Sequence, residues 1–290
     1  MPALTLREQL HKDGFVVVRQ ILTPDQLEAL RAAASRTTEL GRSGQWPNIR
    51  TVGKQFPPWP EKPGPEGIWG VQGLMNPSLP DHKVFTELYF SEPILDICKQ
   101  LMDCTDDELV MELFNMLVRP ESDFELRWHR DDIPPTATAE EEMERLKEPE
   151  WHTQYNLPLY DDASLILVPG SHARARTDAE RNADPYQKEV PGMIAVELGP
   201  GDIAFYNNNI FHRGVYDSSK ERMSLHGSVG HSGGSKLRAR NVLQHGSGKW
   251  LDKCDFSTMD EKNRARAEAM RERLVKLGRE SGEVGYSLEG

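Results

Sequence analysis

The sequence predicts a mainly β fold, a sandwich or a barrel, that is flanked by helices. From residue 109 onward, short runs of β-branched and aromatic residues alternate with turn signals, such as Pro-Gly-Ser at 169–171 and Gly-Pro-Gly-Asp at 199–202. Many short strands at this spacing are typical of sandwiches and barrels. The expected strands are 109–119, 124–129, 154–160, 164–168, 192–197, 203–206 and 222–229.

The first hundred residues carry helix signals instead. Thr23 can cap a helix over 24–40, and Pro24 occupies a first-turn position where its missing N–H costs nothing. Other expected elements are helices at 5–12 and 91–102, a buried strand at 15–18 and an ordered loop, rich in Pro, Gly and Trp, at 41–80. We therefore expect one domain over 1–290, with helical support at 1–105, a barrel core at 106–240 and a C-terminal helix at 257–277.

Two later segments add to this core. The acidic run ATAEEEMERLKEPE at 137–150 predicts a solvated helix in a decorated loop, with a lid over the site as the alternative. The helix at 257–277 has a capping-box-like start at Ser257 and Asp260. Its apolar stripe is thin and consists of Ala267, Met270, Leu274 and Leu277. We expect this stripe to pack on the barrel or on a partner chain, and in the second case the protein would be a homodimer.

Composition narrows the classes of partner. The chain has 46 acidic and 35 basic residues and a net charge of −11, which disfavours nucleic acid because phosphate binding needs a basic patch. Mean hydropathy is −0.62, and no apolar run approaches the ~20 residues needed to span a bilayer. Three cysteines and a start unlike a secretory signal favour the reducing cytoplasm. The expected partner is a small molecule.

A His-x-Asp pair occurs twice, at His11 and Asp13 and again at His129 and Asp131. In an extended segment, residues i and i+2 point the same way, so an imidazole and a carboxylate can bind one metal ion from one side. The first pair ends a short helix beside Gly14, and we interpret it as structural. The second pair follows a strand and precedes prolines, which places it at the mouth of a barrel.

A metal site with two histidines and one carboxylate needs a second histidine from a distant strand. His212 is the best candidate, because it follows the turn and strand Gly-Asp-Ile-Ala-Phe-Tyr. His172 lies in the tight turn Pro-Gly-Ser-His, where a turn-stabilising hydrogen bond is the better interpretation.

An alternating strand begins ten residues after His212. Its residues Arg222, Ser224 and His226 share one face, because side chains alternate along a strand. Arginine can bind a carboxylate through two parallel hydrogen bonds. This face therefore suits an anionic ligand close to the metal.

The chain resembles the phytanoyl-CoA dioxygenase family of Fe(II)/2-oxoglutarate oxygenases over nearly its whole length. The shared order and spacing of several segments are more specific than any one of them. These segments are DGFVVVRQILTPDQLEALR, ELFNMLVRP, WHRDD, LILVPGSH, GDIAFYNNNIFHRG and RMS.

The resemblance implies a double-stranded β-helix, which is a jelly-roll, cupin-like barrel. It also implies Fe(II) as the metal, with 2-oxoglutarate and O2 as cosubstrates and ascorbate as a stimulant. The residues that it assigns are His129, Asp131 and His212 to iron, and Arg222, Ser224 and Asn156 to 2-oxoglutarate. The implied reaction releases succinate and CO2 and hydroxylates an unactivated C–H bond, with desaturation or rearrangement as variants.

The chain departs from the family pattern at two places. Arg130 stands where the family often has Gln, and Arg213-Gly214 follows the second histidine where many members have Gly-Ser. Asp131 is retained, whereas halogenating relatives replace it, so halogenation is not expected.

The substrate is expected to be a polar or partly polar small molecule, and a secondary metabolite is the first expectation. Candidate substrate-binding residues are Arg127, Arg130, His226, Gln72 and Trp69. Two rival classes stay open: a ligand-binding barrel without catalysis, and a cupin-like metal enzyme that does not use 2-oxoglutarate.

Overall fold

The computed structural model describes residues 4–56, 59–149 and 151–282. The helices within these ranges are Leu6–Asp13 (α1), Pro24–Arg42 (α2), His82–Tyr89 (α3), Glu92–Met102 (α4), Ala139–Arg145 (α5), Asp178–Arg181 (α6), Lys236–Val242 (α7) and Glu261–Arg279 (α8). The strands are Phe15–Val18 (β1), Ile49–Thr51 (β2), Ile68–Val71 (β3), Leu109–Val118 (β4), Phe124–Glu125 (β5), His152–Pro158 (β6), Leu165–Leu167 (β7), Ile194–Ala195 (β8), Ile203–Tyr206 (β9), His212–Tyr216 (β10) and Met223–His231 (β11).

The strands form two antiparallel sheets. The large sheet has the order β1-β9-β6-β11-β4-β3-β2, and the small sheet has the order β5-β10-β7-β8. From β4 onward the chain passes repeatedly from one sheet to the other, so that β9 and β11 lie in the large sheet and β10 between them in sequence lies in the small one. This is a double-stranded β-helix, and the predicted fold class is confirmed.

The large sheet separates the main hydrophobic core from the candidate site. Met116 and Val118 of β4 are buried in the core together with Leu95 of α4. Asn115 and Leu117, which alternate with them, line a cavity on the other side of the sheet. This division follows from the two-residue period of a strand, since successive side chains point to opposite faces.

The segment 41–80 was expected to be loop, and that prediction is wrong for nine of its residues: two belong to the end of α2, and seven form β2 and β3. Both strands extend the edge of the large sheet, where Gly70 of β3 lies opposite Leu117 of β4. They are short and surrounded by Pro and Gly, so they are stabilised by the pairing of β3 with β4 and of β2 with β3 rather than by local propensity.

The local pattern also missed β10, α3, α6 and α7, and it made two strands too long: only Ile194–Ala195 of the strand expected at 192–197 form β8. Of the strand expected at 124–129, two residues form β5, while His129 makes an isolated bridge to His212. This bridge depends on pairing with β10, a contact that the hydrophobic periodicity of the segment does not predict.

The acidic segment at 137–150 is more firmly fixed than a solvated loop. Glu142 of α5 is completely buried, and its carboxylate accepts hydrogen bonds from the Arg176 side chain and from the Arg176 backbone N–H at 2.6 Å. Arg181 also lies 3.2 Å from this carboxylate. The expected helix is therefore present as α5 and most of its residues are exposed, while the buried Glu142 pairs the segment with two arginines.

The C-terminal helix α8 begins after Asp260, whose side chain accepts a hydrogen bond from the backbone N–H of Asn263. Ser257 lies outside the helix. Ala267, Met270 and Leu274 of the predicted stripe are buried, and the helix packs on α7 and β4. Among the described residues, no helix is long and apolar enough to cross a membrane.

We predict that Glu142→Ala lowers the free energy of unfolding by about 3–5 kcal/mol, because it removes the carboxylate partner of the buried Arg176 side chain and of the partly exposed Arg181 side chain. Urea denaturation followed by circular dichroism measures this change. The matched control is Glu140→Ala, which removes an exposed carboxylate from the same helix. Equal, small losses for both variants would contradict the buried role of Glu142.

Candidate active site

A cavity of about 790 Å³ lies between the two sheets. Most of the residues singled out in the sequence line it: Trp69, Gln72, Arg127, His129, Arg130, Asp131, Asn156, His212, Arg222 and His226. Ser224 is fully buried beside this cavity and is not part of its lining.

Backbone pairing places the two predicted histidine ligands side by side. The backbone N–H of His129 donates to the carbonyl of His212, and the reverse bond is also made, both at 3.0 Å. Their ring centroids are 4.3 Å apart. The pairing of these two segments therefore places both imidazoles close together.

Each imidazole is oriented by a carbonyl of its own segment. The Nδ1 atom of His129 lies 2.8 Å from the Arg127 carbonyl, and that of His212 lies 2.8 Å from the Ile210 carbonyl. A carbonyl only accepts, so each Nδ1 carries the proton and each Nε2 keeps a free lone pair. Oriented in this way, Nε2 is the atom available to a metal.

Asp131 completes the set. Its Oδ1 lies 3.4 Å from Nε2 of His129 and 3.8 Å from Nε2 of His212. The three potential ligand atoms all lie within 4.8 Å of one another. Two nitrogens and one carboxylate oxygen on one side of a point form the donor set of a non-haem iron site with open positions.

The remaining atoms of Asp131 are fixed by neighbours. Its N–H donates to the Asn208 carbonyl, and its Oδ2 accepts a hydrogen bond from Gln154, both at 2.9 Å. Burial raises the pKa of Asp131, but the adjacent His129 and His212 and the hydrogen bond from Gln154 outweigh it and hold the pKa well below its usual range. Burial, with His129 close by, lowers the pKa of His212 to about 4. A charged carboxylate and a neutral imidazole are the forms that bind a metal.

Arg222 lies next to this cluster and is itself oriented. Its Nε donates to Asp162 at 2.9 Å, and its guanidinium lies 4.3 Å from the ring centroid of Tyr216. Its Nη1 and the hydroxyl of Ser224 are buried and have no hydrogen-bond partner within the described residues. Buried polar groups are rarely left unpaired, so these two atoms fit an absent ligand that accepts hydrogen bonds, such as a carboxylate.

Asn156 and His226 face each other on neighbouring strands, β6 and β11. The Nδ1 atom of His226 is 2.8 Å from Oδ1 of Asn156. Burial, with the positive charge of Arg50, lowers the pKa of His226 to about 3. His226 is therefore neutral at physiological pH, donates through Nδ1 and presents Nε2 as an acceptor.

Trp69 and Arg127 form part of the cavity wall. The Trp69 indole N–H donates to backbone carbonyls at 2.9 and 3.1 Å, and its ring stacks on Tyr216 at 5.8 Å. The Arg127 guanidinium lies 5.1 Å from the Phe56 ring centroid. Gln72 also lines the cavity, and its backbone pairs with Asn48.

Arg130 was expected to contact substrate, but its guanidinium is used elsewhere. It donates to the carbonyls of Asn209, Ser171 and Arg174 at 2.7–3.0 Å. Burial lowers its pKa to about 10. These bonds hold together the loops behind the histidines, and Arg130 also lines the cavity.

The segment of the other His-x-Asp pair, His11 and Asp13, has a structural role. His172 Nε2 lies 3.1 Å from the carbonyl of His11. The backbone of Gly170 donates to the carbonyl of Asp13 at 2.8 Å. These contacts join the end of α1 to the turn at 169–171.

Sequence reasoning did not identify Gln154, Asp162 or Arg50. Gln154 could have been found, because it lies two residues before Asn156 on the same strand and shares its face. Asp162 and Arg50 gave no local signal, since one lies in a turn and the other in a segment that was expected to be loop.

The barrel together with two histidines and one carboxylate defines the class of non-haem iron, 2-oxoglutarate-dependent oxygenases. The sequence pattern of the phytanoyl-CoA dioxygenase (PhyH) family matches residues 10–224, and the chain belongs to this family. Among curated proteins, no sequence matches the chain significantly.

Solved structures share the fold at low sequence identity. AviO1 from Streptomyces viridochromogenes Tue57 has a TM-score of 0.55 at 19% identity, covering 79% of this chain and 96% of that one. EctD from S. alaskensis with bound Fe has a TM-score of 0.56 at 18% identity, covering 78% and 76%. The epimerase SnoN, described as non-heme and alpha-ketoglutarate-dependent, has a TM-score of 0.53 at 18% identity, covering 78% and 80%.

We predict that Gln154→Leu weakens Fe(II) affinity about 10- to 100-fold, because Asp131 loses the hydrogen bond that orients it. Anaerobic calorimetric titration with Fe(II) measures the dissociation constant. Gln45→Leu changes an exposed glutamine in the same way and is the control. The orienting role is wrong if both variants bind Fe(II) as the parent does.

Proposed function

We propose that this protein oxidises an unactivated C–H bond of a medium-sized, partly polar small molecule, with hydroxylation as the reaction. Iron would be held by His129, Asp131 and His212. The observation that carries the proposal is the convergence of their three ligand atoms within 4.8 Å, beside a buried arginine with an unpaired N–H group. The three ligand atoms suit a metal ion, and the arginine suits a carboxylate ligand bound beside it.

When bound, Fe(II) and 2-oxoglutarate would supply the oxidising chemistry, with O2 consumed and succinate and CO2 released. The protein supplies geometry. The carbonyls of Arg127 and Ile210 keep both imidazoles in the metal-binding tautomer, and Gln154 turns one carboxylate oxygen of Asp131 toward them. Three protein ligands on one side leave the opposite side of the ion for small molecules.

Arg222 would hold the distal carboxylate of 2-oxoglutarate. Asp162 and the ring of Tyr216 fix the plane of its guanidinium, so little side-chain freedom is lost when a ligand binds. The hydroxyl of Ser224 is a second donor that lacks a partner in the described structure. Asn156 and His226 line the same cavity and complete its polar wall.

The cavity wall supports a substrate with both apolar and polar faces. Aromatic side chains alternate with amides around it: Phe56, Trp59, Trp69, Trp128 and Trp250, with Asn48, Gln55, Gln72, Asn115 and Asn241. Indole rings pack on apolar faces, and amides both donate and accept hydrogen bonds. A secondary metabolite fits this description; among the structural neighbours, SnoN belongs to nogalamycin biosynthesis and EctD was solved with 5-hydroxyectoine.

An acyl-CoA substrate is less well supported, despite the family name. Its phosphates would need free cations at the cavity mouth. Arg176 and Arg181 are paired with Glu142, and Arg213 with Glu125 at 3.1 Å. These three arginines share two carboxylates, so only one of their three positive charges is left unbalanced.

The two rival functions lead to different expectations. A ligand-binding barrel without catalysis would consume no 2-oxoglutarate. A cupin-like enzyme that does not use 2-oxoglutarate has no need for donors such as Nη1 of Arg222 and the Ser224 hydroxyl, which support the oxygenase.

We predict that anaerobic protein loaded with Fe(II) and 2-oxoglutarate shows the weak visible charge-transfer band of a chelated 2-oxo acid. His212→Ala abolishes the band, because two ligands do not hold the ion. Arg222→Lys keeps a cation beside Asp162 but loses the planar guanidinium, and it weakens 2-oxoglutarate binding about 10-fold. Absorbance titration measures both effects.

His11→Ala is the control, since it alters the other His-x-Asp pair and should leave the band intact. Absence of the band in folded, iron-loaded parent protein would remove the 2-oxoglutarate assignment. A substrate screen by succinate release follows if the band is present.

A further inference from the structure

Four residues form one row across the large sheet. Arg50 of β2 lies opposite Gly70 of β3, Gly70 lies opposite Leu117 of β4, and Leu117 lies opposite Ser224 of β11. Directly opposed residues in a sheet point to the same face. The Arg50 side chain therefore lies on the face that carries Ser224 and, two residues before it, Arg222.

Gly70 provides the space for this arrangement. A Cβ atom at Gly70 would lie 3.1 Å from Cδ of Arg50, so the Arg50 side chain passes directly over the glycine. Neighbouring strands are about 4.8 Å apart, and an extended arginine spans more than one such spacing. Arg50 thus runs along the sheet from its edge strand toward Leu117 and Ser224, and it lines the cavity.

Aromatic rings hold the Arg50 guanidinium. It lies 5.1 Å from the ring centroid of Trp69 and 5.7 Å from that of Trp59. Trp69 in turn stacks on Tyr216, the ring that lies beneath Arg222. One aromatic group therefore supports both guanidinium groups.

Arg50 nevertheless lacks an anion. In the part of the chain that the structure describes, no carboxylate oxygen lies within 4.0 Å of its nitrogens, and its buried Nε has no hydrogen-bond partner. Burial lowers the pKa of Arg50, which shows that its surroundings disfavour the charge. An uncompensated cation of this kind is costly unless a ligand neutralises it.

Arg222 alone does not provide a net positive charge to balance a negatively charged ligand. Its ion pair with Asp162, at 2.9 Å and buried on both sides, is already neutral. A divalent iron together with Asp131 and the dianion of 2-oxoglutarate carries one net negative charge. Arg50, which lies on the same face of the sheet as Arg222, is a cation that can balance it.

We propose that Arg50 is a second cationic residue for the distal carboxylate of 2-oxoglutarate, acting with Arg222 and Ser224. The inference rests on the proposed use of 2-oxoglutarate. In this arrangement Arg222 provides oriented donors, and Arg50 provides the uncompensated charge. A carboxylate of the substrate is the other ligand with the same chemistry, and the experiment separates the two.

The test measures dissociation constants of anaerobic Fe(II)-loaded protein without substrate, by the visible band and by tryptophan fluorescence. The variants are Arg50→Gln and Arg50→Lys, and Arg264→Gln removes an exposed arginine as the control. The two probes are 2-oxoglutarate and 2-oxobutyrate, which has the chelating end but no distal carboxylate. We expect Arg50→Gln to weaken 2-oxoglutarate about 10- to 100-fold, Arg50→Lys to restore part of this loss, and 2-oxobutyrate binding to stay within about 3-fold.

Thermal unfolding of the ligand-free variants separates a binding role from a structural one. Arg50→Gln loses the contacts with Trp59 and Trp69 but also removes a buried charge without a carboxylate partner, so this variant should unfold close to the parent's temperature. If Arg50→Gln binds 2-oxoglutarate as the parent does, the inference is overturned and the Arg50 charge is assigned to the substrate instead. If Arg50→Gln weakens the binding of 2-oxoglutarate and 2-oxobutyrate equally, the inference is overturned as well. If the parent itself binds no 2-oxoglutarate, the proposed function fails instead.

Discussion

The pair of backbone hydrogen bonds between His129 and His212 is the constraint on which the site depends. It joins a segment that leaves the small sheet after β5 to the first residue of β10, and it sets two imidazoles 4.3 Å apart. The carbonyls of Arg127 and Ile210 then determine which nitrogen each ring presents. Because these partners belong to the main chain, the orientation of the metal-binding atoms follows from the barrel itself rather than from mobile side chains.

The second level of organisation is electrostatic. Most arginines around the cavity have a fixed carboxylate or carbonyl partner, as Arg222 has Asp162 and Arg130 has three backbone carbonyls. Paired charges can be buried at modest cost, whereas a lone one cannot. This difference separates arginines that hold the walls in place from Arg50 and Arg127, whose guanidinium groups have no carboxylate partner among the described residues. The same reasoning identifies Glu142 as a structural anchor, since it pairs with two arginines in a fully buried position.

Much of the fold and part of the site could be predicted from local pattern. The strand at Ile203–Tyr206 and the helix from Pro24 follow directly from apolar runs and from capping residues. The pair at His129 and Asp131 was distinguished from His11 and Asp13 by its context alone. The prediction failed for the segment at 41–80. Its strands of three and four residues are too short to show a periodicity, and they are stabilised by pairing with neighbouring strands.

The class of fold, the candidate metal ligands and the alternation that places Arg222 and Ser224 on one face can all be predicted from the sequence. Each of these depends on spacing along the chain, which the sequence contains completely. Tertiary structure alone decided that His129 lies opposite His212, that Gly70 leaves room for Arg50 above it, and that Asp162 neutralises Arg222. These contacts join residues that are far apart in the chain, and their free energy arises only when the sheets close and exclude water from the charges between them.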